Sequence, residues 1–275
     1  MSRGTVLVTG ASSGIGAACV ASLRGAGFEV VATVRSEADE QQLTAQYAGR
    51  VTVLRCDVTD AGQVAELGRH VGDLALAGLV NNAGTAVPGP LEYLPVEELR
   101  RQLEVNLVGQ LAVTQVALPA LRRAGGRIVM VGSIADRIAG PMLGAYHASK
   151  FGLLGMTDSL RAELAPSGVR VVLVEPGVIA TSIWNTGQSV GEDLLAGMPP
   201  DAEERYGAQI DAKRTEAARA GERGLPASAV ADVITQALTT KRPRPRYLVG
   251  RDAKAAAVVA GLPFRLRYRL TAARS

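Results

Sequence analysis

Thr5-Val6-Leu7-Val8-Thr9-Gly10-Ala11-Ser12-Ser13-Gly14-Ile15-Gly16 stands near the head of the chain. Its first four residues form a short apolar, β-rich run and its middle is a glycine turn. Ile15, Cys19 and Leu23 then recur at helical spacing. That order reads as strand, loop and helix. Glycine tolerates positive φ and lets backbone amides approach a phosphate with no Cβ in the way. The helix behind it offers its first N–H groups and the positive end of its dipole. The spacing is Gly-x-x-x-Gly-x-Gly, which differs from the Gly-x-Gly-x-x-Gly dinucleotide fingerprint. Gly10, Ser12, Ser13, Gly14, Ile15 and Gly16 are therefore candidate pyrophosphate contacts, with a plain structural turn as the competing reading.

Beyond this unit, β-rich runs alternate with amphipathic stretches. Strands are predicted at Thr5–Val8, Glu29–Val34, Val51–Arg55, Gly78–Asn81, Arg127–Val131, Arg170–Val174 and Arg246–Val249. Helices are predicted at Ile15–Arg24, Glu37–Tyr47, Ala61–Val71, Val96–Leu121, Ala145–Ala165 and Ala227–Thr239. Such alternation argues for an α/β fold, a doubly wound parallel β-sheet with helices on both faces. Neither a repeat nor a linker interrupts it, so residues 1–275 read as a single domain. In such sheets the ligand lies beyond the carboxyl ends of the strands. The glycine loop, Asp57, Asn82, Ser133 and Pro176 each follow a predicted strand, which puts them along one edge.

Composition agrees. A chain of 275 residues with 47% hydrophobic content can bury a full core and is not disordered. No apolar run approaches the ~20 residues that span a bilayer. The first strand begins within a few residues of the N-terminus, leaving no room for a signal peptide, so a cytoplasmic setting is expected. Cys19 and Cys56 fall in a helix and a strand pattern and read as buried free thiols. His70 and His147 have no partners at ligand spacing, so no metal is expected.

In Ala145-Tyr146-His147-Ala148-Ser149-Lys150 a tyrosine precedes a lysine by four residues. On a helix the two share one face, one turn apart. An ammonium beside a phenol favours the phenolate, so the expected effect is a lowered Tyr146 pKa and an acid/base group for neutral pH.

With the glycine loop, Asn81-Asn82-Ala83-Gly84, Asn106, Ser133 and Tyr146/Lys150 in this order, the chain resembles the short-chain dehydrogenase/reductase superfamily, over roughly Thr5 to Thr181 and more loosely to Gly250. The resemblance implies a Rossmann fold and an oxidoreductase that interconverts a carbonyl and an alcohol. Tyr146 would exchange the proton with the substrate oxygen. Lys150 would hold the nicotinamide ribose and lower the pKa of Tyr146. Ser133 would hydrogen-bond the substrate oxygen, and Asn106 would pin a water of a proton relay. Asp57 and Val58 would border the adenine, Asn82, Ala83 and Gly84 its ribose. Pro176, Gly177, Ile179 and Thr181 would form the nicotinamide-side loop.

Relatives that prefer NAD usually carry an acid near Val34. Here Arg35 follows instead, and a guanidinium pairs with a 2′-phosphate where a carboxylate would repel it. NADP(H) is the expected cofactor, although Ser13 stands where many NADP-dependent relatives carry a second basic residue. Residues from about 181 to 224, with Trp184, Leu194, Leu195, Met198, Tyr206 and Ile210, form a long connection that reads as a helical substrate lid. Met142 and Leu143 would add to its wall. Together they suggest a lipophilic carbonyl or alcohol as the small-molecule substrate, in the manner of family members acting on steroids, retinoids and other lipophilic ketones. Non-redox chemistry on the same fold, or a catalytically silent NADP-binding protein, are the alternatives.

From Lys241 to Ser275 there are ten basic residues against one acid, Asp252. The basic character thus belongs to the tail, taken as 251–275. Phe264-Arg265-Leu266-Arg267-Tyr268-Arg269-Leu270 alternates strictly, so a helix there would scatter its apolar residues around the axis. Subunit contact or lid packing is the preferred role, ahead of a solvated tail and of attachment to an acidic surface; for nucleic acid no recognition motif is present. The apolar stripes of the two long helices predict a homodimer or homotetramer.

Overall fold

The computed structural model describes residues 3–181, 183–199 and 201–272. Its strands are β1 (Thr5–Val8), β2 (Glu29–Val34), β3 (Thr52–Arg55), β4 (Leu76–Asn81), β5 (Arg127–Val131), β6 (Arg170–Pro176), β7 (Ile179–Ala180), β8 (Leu225–Pro226) and β9 (Arg246–Val249). Seven of them form one sheet in the order β3-β2-β1-β4-β5-β6-β9. Every pairing in it is parallel. The order reverses between β1 and β4, which is the switch point where such sheets bind ligands.

The helices are α1 (Gly14–Gly25), α2 (Glu37–Tyr47), α3 (Ala61–Gly72), α4 (Val96–Leu103), α5 (Gly109–Ala124), α6 (Gly144–Leu164), α7 (Ile183–Ala196), α8 (Asp201–Arg223), α9 (Ala227–Thr239), α10 (Arg251–Ala260) and α11 (Phe264–Ala272). Alternate residues of each strand face opposite ways. Val6, Val8 and Val172 accordingly lie in one buried core with Leu23 of α1 and Ile234 of α9. Leu7, Leu79 and Ile128 lie in the other, with Leu67 of α3, Leu121 of α5 and Leu160 of α6. Burial on both faces explains why these strands are apolar throughout. Ser36 and Asp60 start α2 and α3 by accepting the Asp39 and Gln63 amides at 3.1 and 3.0 Å.

The connection before α9 is helical as expected, a hairpin of α7 and α8 whose two ends pair as the short parallel ladder β7·β8. Two expectations need correction. The predicted helix Val96–Leu121 is broken by a π-helical turn, Glu104–Val108, whose wider backbone carries the buried Asn106. The alternating tail is helical, as α10 and α11. Phe264 and Tyr268, four residues apart, stack at 6.1 Å, and Arg267 lies 5.7 Å from the Phe264 ring. Phe264, Leu266 and Tyr268 are exposed, as scattered apolar positions on a helix must be. Among the described residues, no helix is long and apolar enough to cross a membrane.

Candidate active site

The carboxyl edge of the sheet carries, from β3 towards β6, Asp57, Arg35, the Thr9–Gly16 loop, Asn82–Gly84, Ser133 and the Pro176–Thr181 loop. Only glycine fits the loop after β1. Gly10 and Gly14 have φ of +65° and +54°. A Cβ at Gly16 would lie 2.1 Å from the Gly10 carbonyl oxygen and 2.6 Å from the Asn82 amide nitrogen. Thr9 Oγ1 accepts the Asn82 and Ala83 amides at 3.0 Å each, and Asn82 Nδ2 donates to the Thr9 and Gly10 carbonyls at 2.9 and 3.0 Å. The Asn82 side chain, expected against a ribose, thus braces the loop. Thr9 was not foreseen; its place between strand and glycine was the available signal. Ser13 precedes α1 in extended conformation and makes no side-chain cap bond to it. Thr181 closes the loop from the far side, 3.2 Å from where a Gly14 Cβ would be. This cradle of glycines at a helix N-terminus fits a dinucleotide pyrophosphate.

Arg35 is exposed just past β2, in register to lie beside the end of β3, where Arg55 pairs with Glu37 at 3.7 Å. Asp57 accepts the Thr59 amide and hydroxyl at 2.9 and 2.8 Å, while Val58 packs against the start of α5. Gly177 donates its amide to the Val249 carbonyl, and Ile179 is buried in β7.

Tyr146 and Lys150 lie one turn apart on α6, with the ammonium 5.7 Å from the ring centroid. Lys150 Nζ donates to the Val131 carbonyl at 2.9 Å. The expected lowering of the Tyr146 pKa is not what this geometry gives. Burial pushes the phenol up to about 12, the Ser133 hydroxyl beside it works downward, and the nearby Asp136 adds to the rise. Burial also brings Lys150 down to about 8, with Asp136 opposing. Desolvation outweighs the lysine because the ammonium is itself desolvated and engaged elsewhere. At neutral pH the phenol therefore keeps its proton.

Asn106 accepts the Thr85 amide at 2.8 Å and donates to the Thr85 carbonyl and Ser149 Oγ at 3.0 Å each. These bonds satisfy the buried side-chain amide within the protein. Ser149 in turn donates to the Tyr146 carbonyl at 2.7 Å, so Asn106 is linked to the backbone of α6 at Tyr146.

A charged cluster behind Ser133 was not foreseen. Glu175 is fully buried and gripped by two guanidiniums, Arg137 at 2.6 and 3.0 Å and Arg246 at 2.8 and 3.0 Å. Burial alone would raise its pKa, but the two arginines hold it below the ordinary value. Asp136, buried beside it, is pushed up by desolvation and by the Glu175 charge. The cluster ties the Ser133 loop to β6 and β9. The signal was a lone acid in the run Val171-Val172-Leu173-Val174-Glu175. His147 joins the same loop, through Nδ1 to the Ala135 carbonyl at 3.0 Å and by accepting the Gly140 amide at 3.1 Å.

A narrow cavity of about 70 Å³ opens between this loop and the helical hairpin. Its walls are Ala86, Pro88, Met142, Leu143, Leu195 and Ile210, with Lys213 and Arg214 at the side. Met142 adopts φ +66°, a strained conformation for a side chain of that size, and is buried. Gly187 and Gly191, on one face of α7, let that helix approach Ala86 and Pro88. Leu194 packs with Val87, Leu94 and Ala145, and Met198 lies near Gly89. Tyr206 points to the rim, edge-on to Tyr93 at 5.9 Å. Trp184 belongs to α7, and its side chain is outside the described residues.

Cys19 and Cys56 are buried free thiols, pushed up to about 12 and 11 by desolvation. Among the described residues, no group of three His, Cys, Asp or Glu side chains is placed to hold a metal.

The family profile described as short chain dehydrogenase matches residues 4–189. The chain belongs to that family. It is an oxidoreductase of the short-chain dehydrogenase/reductase type, similar to enzymes of lipophilic substrates. A 3-amino-tetrahydro-pyrrolizinone reductase of Xenorhabdus hominickii is 37% identical over 265 residues, which cover 92% of this chain and 89% of that one. The 17-beta-hydroxysteroid dehydrogenase type 6 of Homo sapiens is 37% identical over 258 residues, covering 90% and 81%. Among solved structures, a short chain dehydrogenase from Burkholderia cenocepacia in complex with NADP superposes with a TM-score of 0.77 at 29% identity, covering 98% of each chain.

Proposed function

We propose that this short-chain dehydrogenase/reductase interconverts a lipophilic ketone or aldehyde and its alcohol, using NADP(H). The carrying observation is the Tyr146 phenol, protonated at neutral pH, beside the Ser133 hydroxyl and one turn from Lys150. In the reducing direction Tyr146 donates its proton to the substrate oxygen as negative charge develops there. Ser133 donates a hydrogen bond to the same oxygen, stabilising that charge. Lys150, held by the Val131 carbonyl, supplies positive potential beneath the phenol. Asn106 and Ser149 position the turn of α6 that bears Tyr146. When bound, the nicotinamide supplies or accepts the hydride.

Residues Gly10 to Gly16, Asn82 to Gly84 and the Pro176–Thr181 loop would hold the cofactor, with Asp57 and Val58 at its adenine end. Arg35 supports NADP, because its guanidinium is free to pair with a 2′-phosphate at the end of β2. The similarity to a structure complexed with NADP points the same way. The apolar walls at Met142, Leu143, Leu195 and Ile210 support a lipophilic substrate, with α7 and α8 acting as its lid. Val108 and Phe151, exposed on the outer side of the π-helical turn and of α6, support a homodimer or homotetramer.

Tyr146→Phe tests the reading. Ketone reduction by NADPH, followed by absorbance, should fall ~10²–10⁴-fold in kcat, with cofactor affinity little changed. A variant that keeps more than about a tenth of wild-type kcat would remove Tyr146 from the proton transfer.

A further inference from the structure

A second cleft lies outside the active site, between the hairpin and the C-terminal helices. It measures about 420 Å³ and is bounded by Val178, Leu225, Arg219 and Arg223 of α8, and Arg251 of α10. Arg219 and Arg223 are four residues apart and share one helix face. Arg251 is the first residue of α10, so the third guanidinium arrives with the positive end of a ten-residue helix.

Two carboxylates also border the cleft, Glu216 and Asp252, and both are engaged elsewhere. Glu216 pairs with Lys213 at 2.8 Å, and Asp252 accepts the Val178 amide at 2.6 Å. Among the described residues, the guanidiniums of Arg219, Arg223 and Arg251 have no hydrogen bond or ion pair. Arg137, Arg205 and Arg246, by contrast, are each paired with a carboxylate. Three unpaired guanidiniums bordering one cleft concentrate positive charge that a ligand with several oxygens can answer.

We propose that this cleft binds a phosphoryl anion, held by Arg219, Arg223 and Arg251. The chemistry fits inorganic phosphate and the phosphodiester of an acidic lipid headgroup alike. An anion there ties the hairpin to α10. Asp252 carries the effect to the Val178 amide, at the base of the loop that leads into the hairpin. None of the three arginines belongs to the redox centre, although Val178 lies in the loop assigned to the cofactor, and the proposal stands whatever carbonyl that centre takes.

The test is calorimetric titration of the protein saturated with NADP, so that the 2′-phosphate position near Arg35 is already filled. Sodium phosphate is compared with sodium chloride at equal ionic strength. Phosphate should bind saturably with one site per chain. Arg223→Gln and Arg251→Gln should each weaken it at least about tenfold, the loss expected for a charge-assisted pair. Melting temperatures measured without phosphate verify that both variants fold. Sedimentation with phosphatidylglycerol or phosphatidylcholine vesicles separates the sources. Retention on the former alone, lost in Arg251→Gln, assigns a headgroup; no retention, with phosphate still binding, assigns a free anion. Heats that chloride reproduces, or variants that titrate like the wild type, overturn the proposal.

Discussion

The glycine loop after β1 and the helical hairpin of α7 and α8 border the same sheet edge, yet they are held in opposite ways. In the loop, backbone meets backbone: a Gly16 Cβ would fall 2.1 Å from the Gly10 carbonyl, and the Asn82 amide fills what space is left. The hairpin is anchored at its base by two-residue strands and at its rim by exposed polar contacts. Tyr206 and Arg205 reach Glu92 at 2.7 and 3.0 Å, and Tyr93 reaches Asp201 at 3.1 Å. Exposed pairs of this kind contribute about 0–1 kcal/mol each. One region has no slack; the other can change its side chains or shift without disturbing the sheet. On the proposed function, the difference separates the part that fixes the chemistry from the part that would select the substrate.

Two substitutions in one helix put the rigid half to the test. Gly16→Ala should drive a methyl into the Gly10 carbonyl and misplace the loop. Overpacking of this kind costs about 1–3 kcal/mol, and displacement of a binding group by an ångström costs about 10²-fold in turnover. Gly25→Ala, at the other end of α1, meets nothing within 4 Å and should instead stabilise the helix by ~0.5–1 kcal/mol. Thermal melts and NADPH-dependent turnover of both variants give the contrast. Equal behaviour of the two would mean the loop is not tight.

Arg35 sits at the outer end of the rigid edge, exposed just past β2, where charge and not packing would make the proposed cofactor choice. Arg35→Asp should weaken NADPH about 10–100-fold, since one charge-assisted bond is worth about 1.5–3 kcal/mol. It should also improve NADH relative to NADPH by removing the guanidinium and adding a carboxylate for ribose hydroxyls. Side-by-side kcat/KM values decide. A wild-type preference for NADH would show that Arg35 is an ordinary surface arginine.

The same contrast explains what the sequence disclosed. The sheet was legible because parallel strands buried on both faces are apolar throughout, and because glycines mark the loop where no other residue fits. Six of the predicted helices and strands, Thr5–Val8, Glu29–Val34, Glu37–Tyr47, Arg127–Val131, Ala227–Thr239 and Arg246–Val249, match their observed bounds. The grouping of Ser133 with Tyr146 and Lys150 was what the family resemblance implied. Three things depend on tertiary contacts and left weaker traces. The π-helical turn at Asn106 breaks no periodicity strong enough to see. The Glu175 cluster joins residues up to 110 positions apart, from Asp136 to Arg246. The pKa of Tyr146 depends on how far burial outweighs one neighbouring charge, and spacing on a helix carries no information about burial. The hairpin was read as a helical lid, but its division into α7 and α8 was not foreseen, because α8 is polar, with acids at its start, and its contacts to Glu92 and Tyr93 are tertiary.

The smallest of these effects falls on the hairpin. Ile210 is nearly buried and faces the narrow cavity between α8 and the Met142–Leu143 turn, so Ile210→Ala removes wall without touching Tyr146 or the loop. Burial of such a side chain is worth ~1.5–3 kcal/mol at most, and a substrate contacts only part of it. The expected result is a rise in KM of up to about tenfold for long or ring-bearing ketones, and little change for small ones, with kcat preserved. Small ketones cannot reach the wall, whereas bulky ones lose apolar contact in proportion to the area left uncovered. A graded ketone series, run on Ile210→Ala and wild type with saturating NADPH, supplies the comparison. An equal loss for every ketone would mean that the substitution disturbs the whole site, and that the hairpin is as rigidly coupled to the chemistry as the glycine loop.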